Sequence, residues 1–269
     1  MKFIHQFNAI VNSKEVRSSV DYLLKEGVNS PIFLNYFGVN YSKNNLVSVK
    51  LYFSFFEKPS DIFFNEFGIS EKYKELIFNN WIPSKTYDFM HQGLTFGLKC
   101  YLKNDEIIIN KYLHFRTPNI VLGMPNEIKL FDEDKFYPGI CLEFHENRVE
   151  EKKYFYINST QNINKLLQEF SLHKQVAANE LHQIEFTESN EEKKVNLIFK
   201  NTESISKLLK EDDNWFINEL NRYFFEKYKL YYYGYGKRLG KDVNAIYFVP
   251  KEVLTSVVPF QTLPLIFKQ

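Results

Sequence analysis

The sequence predicts an α+β protein: a single ten-stranded antiparallel β-barrel surrounded by helices, with residues 1–269 forming one domain. Three observations predict it. Two alternating apolar/polar runs joined by a short polar turn recur five times, helical segments stand between the pairs, and each paired run is apolar on one face only. Alternation with period two is the signature of a strand buried on one side. Ten antiparallel strands leave two unpaired edges unless the sheet closes on itself.

The hairpins follow one another in order. The first is PIFLNYFGVNYS, turn KNN, LVSVKLYFSFF (31–56). The second is GLTFGLKCYLK, turn NDE, IIINKYLHFR (93–116), and the third GICLEF, turn HEN, RVEEKKYFYIN (139–158). The fourth is LHQIEFTE, turn SNEE, KKVNLIFK (181–200), and the fifth LYYYGYG, turn KRLGKD, VNAIYFV (230–249). Helical patterns precede or separate them: SSVDYLLKEG, then 59–81, 160–175 and 202–229. Ser60, Ser159 and Thr202 are suited to cap these helices, because their hydroxyls can accept from a first-turn N–H. Asn162–Leu167 and Ser204–Leu209 read as the same helix start used twice. The link 117–137 has no clear periodicity.

Outer strand faces must meet helices, so they should be apolar. Leu94, Phe96, Leu98, Cys100 and Leu102 form such a face, as do Leu51, Phe53 and Phe55. Lys, Tyr, Asn and Glu on the opposite faces would then line the lumen. A ten-stranded barrel is wider than the eight-stranded kind that side chains fill, so it can hold a ligand or water. A Lys/Tyr alternation is also the pattern of a solvated sheet face, but its recurrence on several hairpins favours the interior.

Composition narrows the function classes. Lys+Arg 34 against Asp+Glu 33 gives a net charge of +1, which disfavours a basic nucleic-acid or membrane-surface protein. No apolar run reaches the roughly 20 residues of a membrane span, and the first residues lack a signal peptide's apolar centre. A cytoplasmic monomer is expected. Cys100 and Cys141 have no CxxC neighbourhood, and no GxGxxG or GxxxxGK[ST] motif is present. His114 and His145 lack partners at metal-ligand spacing. The acidic runs 132–134 and 211–213 read as a solvated turn and a helix face. The excess lies in aromatics: 27 Phe, 18 Tyr and 2 Trp.

Lys-x-Tyr places an ammonium and a phenol on one strand face, and random placement would give about two such triplets. Six occur, three of them on predicted strands: Lys50/Tyr52, Lys99/Tyr101 and Lys152/Tyr154. Converging cations suit a diphosphate, since charge-assisted hydrogen bonds are the strong ones. Tyrosines beside them can stabilise a carbocation through their π faces and keep water from it.

The repeated helix-pair and hairpin units, with strands of the VKLYF type, resemble the ABBA prenyltransferases along essentially the whole chain. The short chain is most similar to the cyanobactin peptide prenyltransferase branch. The resemblance implies transfer of a dimethylallyl or geranyl group from its diphosphate to a peptide side chain, the peptide possibly macrocyclic. A free small aromatic acceptor, or a non-catalytic barrel binding a small ligand or peptide, is the alternative. It assigns diphosphate binding to Lys50, Lys99, Lys152, Lys194, Arg116 and Asn196. The cation shield falls on Tyr52, Tyr101, Tyr112, Tyr154, Tyr156 and Tyr233. The family's proton-accepting glutamate near the first hairpin is missing, and Glu143 is the expected substitute, with Glu185 next. No organic cofactor or dedicated metal residue is expected, and Mg²⁺ would enter with the diphosphate. The tail 251–269 is short for a lid, which favours an open mouth and a large acceptor.

Overall fold

Ten strands, each antiparallel to both neighbours, close on themselves in the computed structural model of the chain. It describes residues 2–26, 32–42, 45–55, 60–66, 68–80, 94–103, 106–116, 136–157, 159–201, 203–205, 208, 222 and 228–250. The order along the chain is α1 (Lys2–Val11), α2 (Lys14–Glu26), β1 (Ile32–Ser42), β2 (Asn45–Phe55), α3 (Asp61–Glu66) and α4 (Glu71–Asn80). Then come β3 (Leu94–Lys103), β4 (Glu106–Arg116), β5 (Phe136–His145), β6 (Arg148–Ile157) and α5 (Thr160–Glu169). A 3-10 turn (Ala178–Glu180) leads into β7 (Leu181–Glu188), β8 (Glu192–Phe199), β9 (Tyr228–Arg238) and β10 (Lys241–Pro250). Around the barrel the strands keep their sequence order, and β1 pairs with β10 to complete the circle. The expected link 117–137 falls largely outside the described residues, as do most of the helix at 202–229 and the tail at 251–269.

The outer faces are the apolar ones. Val49, Leu51 and Phe53 of β2 and Phe96, Leu98 and Cys100 of β3 are buried in one continuous core with the helices. Phe63 of α3 meets Phe96 edge-on at 5.7 Å between centroids, Phe7 of α1 lies 6.3 Å from Phe37 of β1, and Phe170 after α5 lies 6.1 Å from Phe186 of β7. Among the described residues no helix is long and apolar enough to cross a membrane.

Two helical segments end earlier than periodicity suggests. The segment 59–81 is two helices, because Gly68 takes φ +66° and Ile69 N–H returns to Phe64 O at 3.0 Å, closing α3. The segment 160–175 stops at Glu169: Ser171 takes φ 57°, and Leu172 N–H donates to Leu167 O at 2.7 Å. That turn brings Leu172 and Val176 into the core. Ser60 and Ser159 cap as expected, their hydroxyls accepting from Phe63 N and Asn162 N at 3.2 Å each.

The hairpin turns are tighter than the sequence suggests. Leu239 (φ 49°) and Gly240 (φ 75°) alone connect β9 to β10, the two positive φ values that a type I′ turn requires. Glu146 and Asn147 alone connect β5 to β6. Residues assigned to turns, His145, Glu192 and Arg238, therefore belong to strands.

Candidate functional site

Alternation along each strand decides which side chains enter the lumen. On β2, outward Val49, Leu51 and Phe53 leave Ser48, Lys50 and Tyr52 inside. Lys50 lies in register with Lys99 of β3, and Lys99 with Asn110 of β4. Tyr112 of β4 lies opposite Glu143 of β5, which lies opposite Glu150 of β6. Lys194 and Asn196 of β8 cross over β9 at Gly236 and Gly234, where an added Cβ would collide with Lys194. Gly38 plays the same part for Tyr247, whose ring lies 2.5 Å from where a Cβ would stand.

Nearest the hairpin turns, cations and carboxylates compensate one another. Glu143, fully buried, accepts from Lys99 Nζ at 2.9 Å and Asn110 Nδ2 at 3.0 Å. Its other oxygen lies 2.7 Å from Lys152 Nζ and 3.6 Å from Arg238 Nη1. Lys152 also donates to Glu192 at 2.6 Å, and Arg238 reaches Glu150 at 3.4 Å and Glu192 at 3.7 Å. Burial alone would push the Glu143 carboxyl up, but Lys152, Lys99 and Arg238 hold it well below the usual carboxylate range. Burial outweighs Glu143 at Lys99 and lowers its ammonium to about 7.

At Lys50 and Lys194 the balance changes. Lys194 Nζ donates to Tyr247 Oη at 2.9 Å and Lys50 Nζ to the same oxygen at 3.4 Å. Neither lysine has a carboxylate partner among the described residues. Burial outweighs the more distant Glu192 and Glu185 and lowers Lys194 to about 8. Lys50, Lys99 and Lys152 converge on the Tyr112 ring, at 5.8, 5.8 and 5.6 Å from its centroid. The buried hydroxyls of Tyr112 and Thr187 have no hydrogen-bond partner among the described residues.

Away from the turns lies an aromatic level. Tyr36 stacks on Tyr52 with centroids 4.3 Å apart, and Tyr232 on Tyr247 at 4.0 Å. Tyr36 and Tyr247 meet edge-on at 6.1 Å, joining the two stacks. Tyr154 lies 4.6 Å from the His114 ring, and Tyr156 Oη and His114 Nε2 share a hydrogen bond at 2.9 Å. Burial pushes the phenols of Tyr36, Tyr52, Tyr112, Tyr154 and Tyr232 well above their ordinary range, so they are neutral at pH 7. Glu185 lines this level with Cys141 and Thr187 and accepts from Asn196 Nδ2. The space left among these side chains is about 20 Å³.

The structure thus gathers Lys50, Lys99, Lys152, Lys194, Asn196, Glu143, Tyr52, Tyr112, Tyr154 and Tyr156 in one lumen, with Tyr101 on the wall near the turns. Arg116 closes β4 opposite Gly139, and its side chain lies outside the description. Tyr233 is corrected: it packs in the outer core beside Leu197 and Ile246, because Gly234 and Gly236 occupy the inner face of β9. Sequence reasoning missed Tyr36, Tyr232, Tyr247, His145, Glu192 and Arg238. The glycines inside predicted strands were the available signal, since they mark where a neighbour crosses closely.

Glu143, His145 and Glu150 are close enough together to consider as metal ligands. They do not fit one well, because Lys99, Lys152 and Arg238 already engage the carboxylates and would oppose a cation.

No protein-family profile and no curated protein sequence matches the chain. Solved structures do match in fold. The 5-dimethylallyl tryptophan synthase of Streptomyces coelicolor, in complex with DMASPP and Trp, aligns with TM-score 0.53 and 9% identity over 85% of this chain and 81% of that one. PriB with product diphosphate aligns with TM-score 0.52 and 11% identity over 87% and 83%. NotF with brevianamide F and DMSPP aligns with TM-score 0.50 and 10% identity over 83% and 81%. At these identities the likeness is one of fold, and the chain carries the closed ten-stranded barrel of the ABBA prenyltransferases.

Proposed function

We propose that the chain is a prenyltransferase that ionises an allylic diphosphate and passes the prenyl group to a nucleophilic aromatic side chain carried on a peptide. The observation that carries this reading is the pair Lys50 and Lys194, two buried lysines that touch no carboxylate among the described residues and flank one phenol beside stacked tyrosines. A buried cation whose nearest carboxylates, here Glu192 and Glu185, do not touch it is costly, so this level favours a polyanion. The Tyr112 and Thr187 hydroxyls are donors ready for its oxygens.

In this reading the C1–O bond breaks and its electron pair leaves with the diphosphate. Lys50 and Lys194 compensate the charge that develops there. The allyl cation faces Tyr36, Tyr52, Tyr232 and Tyr247, whose neutral rings stabilise it and exclude water. The acceptor's π electrons form the new carbon–carbon bond, and the proton it then loses goes to Glu185. Glu143 is the counter-ion of Lys99 and Lys152 rather than the base, because a carboxylate held so firmly ionised is a weak proton acceptor. A peptide acceptor extends the resemblance seen in the sequence. NotF and the tryptophan synthase, whose solved complexes hold brevianamide F and Trp, support an aromatic acceptor.

The test is incubation with dimethylallyl diphosphate and a panel of cyclic peptides, free tryptophan, tyrosine and small phenols, read by mass spectrometry. Alkylated peptides are expected. Alkylation of free aromatics alone overturns the peptide assignment, and diphosphate binding without any alkylation overturns the enzymatic one. Glu185→Gln should slow turnover at unchanged pyrophosphate affinity, and equal turnover would remove Glu185 as the base.

A further inference from the structure

The space beside Lys50 and Lys194 is about 20 Å³, room for about one water. A diphosphate is several times larger, so a side chain next to the two lysines must move before it can enter. Tyr247 is the side chain in the way. Its Oη is the shared acceptor of both lysines, 2.9 Å from Lys194 Nζ and 3.4 Å from Lys50 Nζ, and its ring centroid lies 5.0 and 5.9 Å from the same two atoms. The residue is buried. A phenol oxygen thus occupies the point on which the two cations converge, which is where a phosphate oxygen has to stand.

Three features make the phenol a replaceable occupant. Burial raises it above its ordinary range although Lys50 pulls it down, so it is neutral at pH 7 and leaves the lysines' charge uncompensated. A charged phosphate oxygen accepts from an ammonium more strongly than a neutral phenol does. The ring rests against Gly38 of β1, 2.5 Å from where a Cβ would stand, so no side chain clamps it on that face. Its backbone is irregular as well. The pairing of β10 with β9 shifts register directly after Tyr247 and leaves Tyr231 as the unpaired extra residue, and such a bulge re-aims the side chains beside it. We propose that Tyr247 is an internal plug of the anion site, its hydroxyl holding Lys50 and Lys194 until a diphosphate takes its place and the ring turns aside. The inference rests on the reading of Lys50 and Lys194 as the diphosphate site. Tyr232 stacks on Tyr247 at 4.0 Å and Tyr36 meets it edge-on at 6.1 Å, so the exchange of acceptors also resets the aromatic wall around the prenyl group.

Inorganic pyrophosphate tests it, with isothermal titration for affinity and stopped-flow intrinsic fluorescence for rate. Tyr247→Phe keeps the ring and removes the competing oxygen, and should bind pyrophosphate about fivefold more tightly than wild type, the worth of one competing hydrogen bond. Gly38→Ala pushes the ring from its place and should also tighten binding. In wild type the observed association rate should level off at high pyrophosphate, where turning of the ring limits it, and Tyr247→Leu should abolish that plateau. Should Tyr247→Leu or Gly38→Ala misfold, Tyr247→Phe, which removes a single oxygen, decides alone. Weaker or unchanged binding in Tyr247→Phe, with wild type binding, overturns the plug and leaves the anion site standing. Binding by Tyr247→Phe without binding by wild type supports the plug in its strongest form. Failure of wild type and every variant to bind pyrophosphate overturns the anion site itself, and the plug with it.

Discussion

The two buried levels of the lumen use the same residue type in opposite ways. Near the turns, Lys99 and Lys152 share Glu143, and Lys152 adds Glu192, so each ammonium is matched on the spot. Lys50 and Lys194 instead share the Tyr247 hydroxyl and touch no carboxylate among the described residues. A matched cluster is costly to break, because removing one member strands the others. An unmatched lysine is the reverse: its removal relieves burial of a charge, and what suffers is anion binding. The comparison separates lysines that hold the barrel together from lysines available to a ligand, although all four carry the same Lys-on-strand signature.

The largest expected effect comes from the matched level. Glu143→Gln leaves Lys99, Lys152 and Arg238 short of one counter-charge, and the fold should lose about 3–5 kcal/mol in urea titration. A loss below 1 kcal/mol would mean that the cluster rearranges and the two levels are not distinct.

Next, Lys50→Met and Lys194→Met should each weaken pyrophosphate binding by about 1.5–3 kcal/mol, the range for hydrogen bonds to charged groups. Neither should lower stability, whereas Lys99→Met should. Equal destabilisation by all three would erase the distinction.

The pH dependence cuts across the two groups of lysines. Lys99 and Lys194 are depressed to about 7 and about 8 from the ordinary 10.5. Between the folded and unfolded values the unfolded chain binds more protons, so stability rises with pH there. The cost of burying these charges is full below pH 7 and shrinks as pH climbs from 7 toward 10. Pyrophosphate affinity should move the other way, falling as pH passes 8 and Lys194 loses its charge. Lys194→Met should flatten that fall, and an unchanged slope would assign it to another group.

The smallest effect belongs to the aromatic level. Tyr52→Leu removes the stack on Tyr36 and should cost about 0.5–1.5 kcal/mol beyond the area lost, while Tyr52→Phe keeps the ring and should stay near wild type. Thermal denaturation distinguishes them.

Much of this site was legible before folding. Glu143 alternates with Leu142 and Phe144, and Lys152 with Tyr154 and Tyr156, so period-two reasoning put them inside without coordinates. Alternation is a weaker guide at strand ends. KRLGKD and SNEE look like turns because Gly, Asp, Ser and Asn favour turns, yet Arg238 and Glu192 are paired strand residues. On β9, Tyr233 is the expected shield residue, while a register shift beside Tyr247 and the glycines at 234 and 236 go with Tyr232 on the lumen face.

The sequence by itself determined the number of strands, their pairing as successive hairpins and the polarity of each strand face, because all three follow from local alternation and turn composition. Only the tertiary structure decided which lysines are neutralised. Glu143, Lys99, Lys152 and Arg238 come from four strands, and their distances depend on register and closure around the whole barrel. Coulomb energy falls with separation and rises with burial. Neither quantity exists along the chain until the barrel closes.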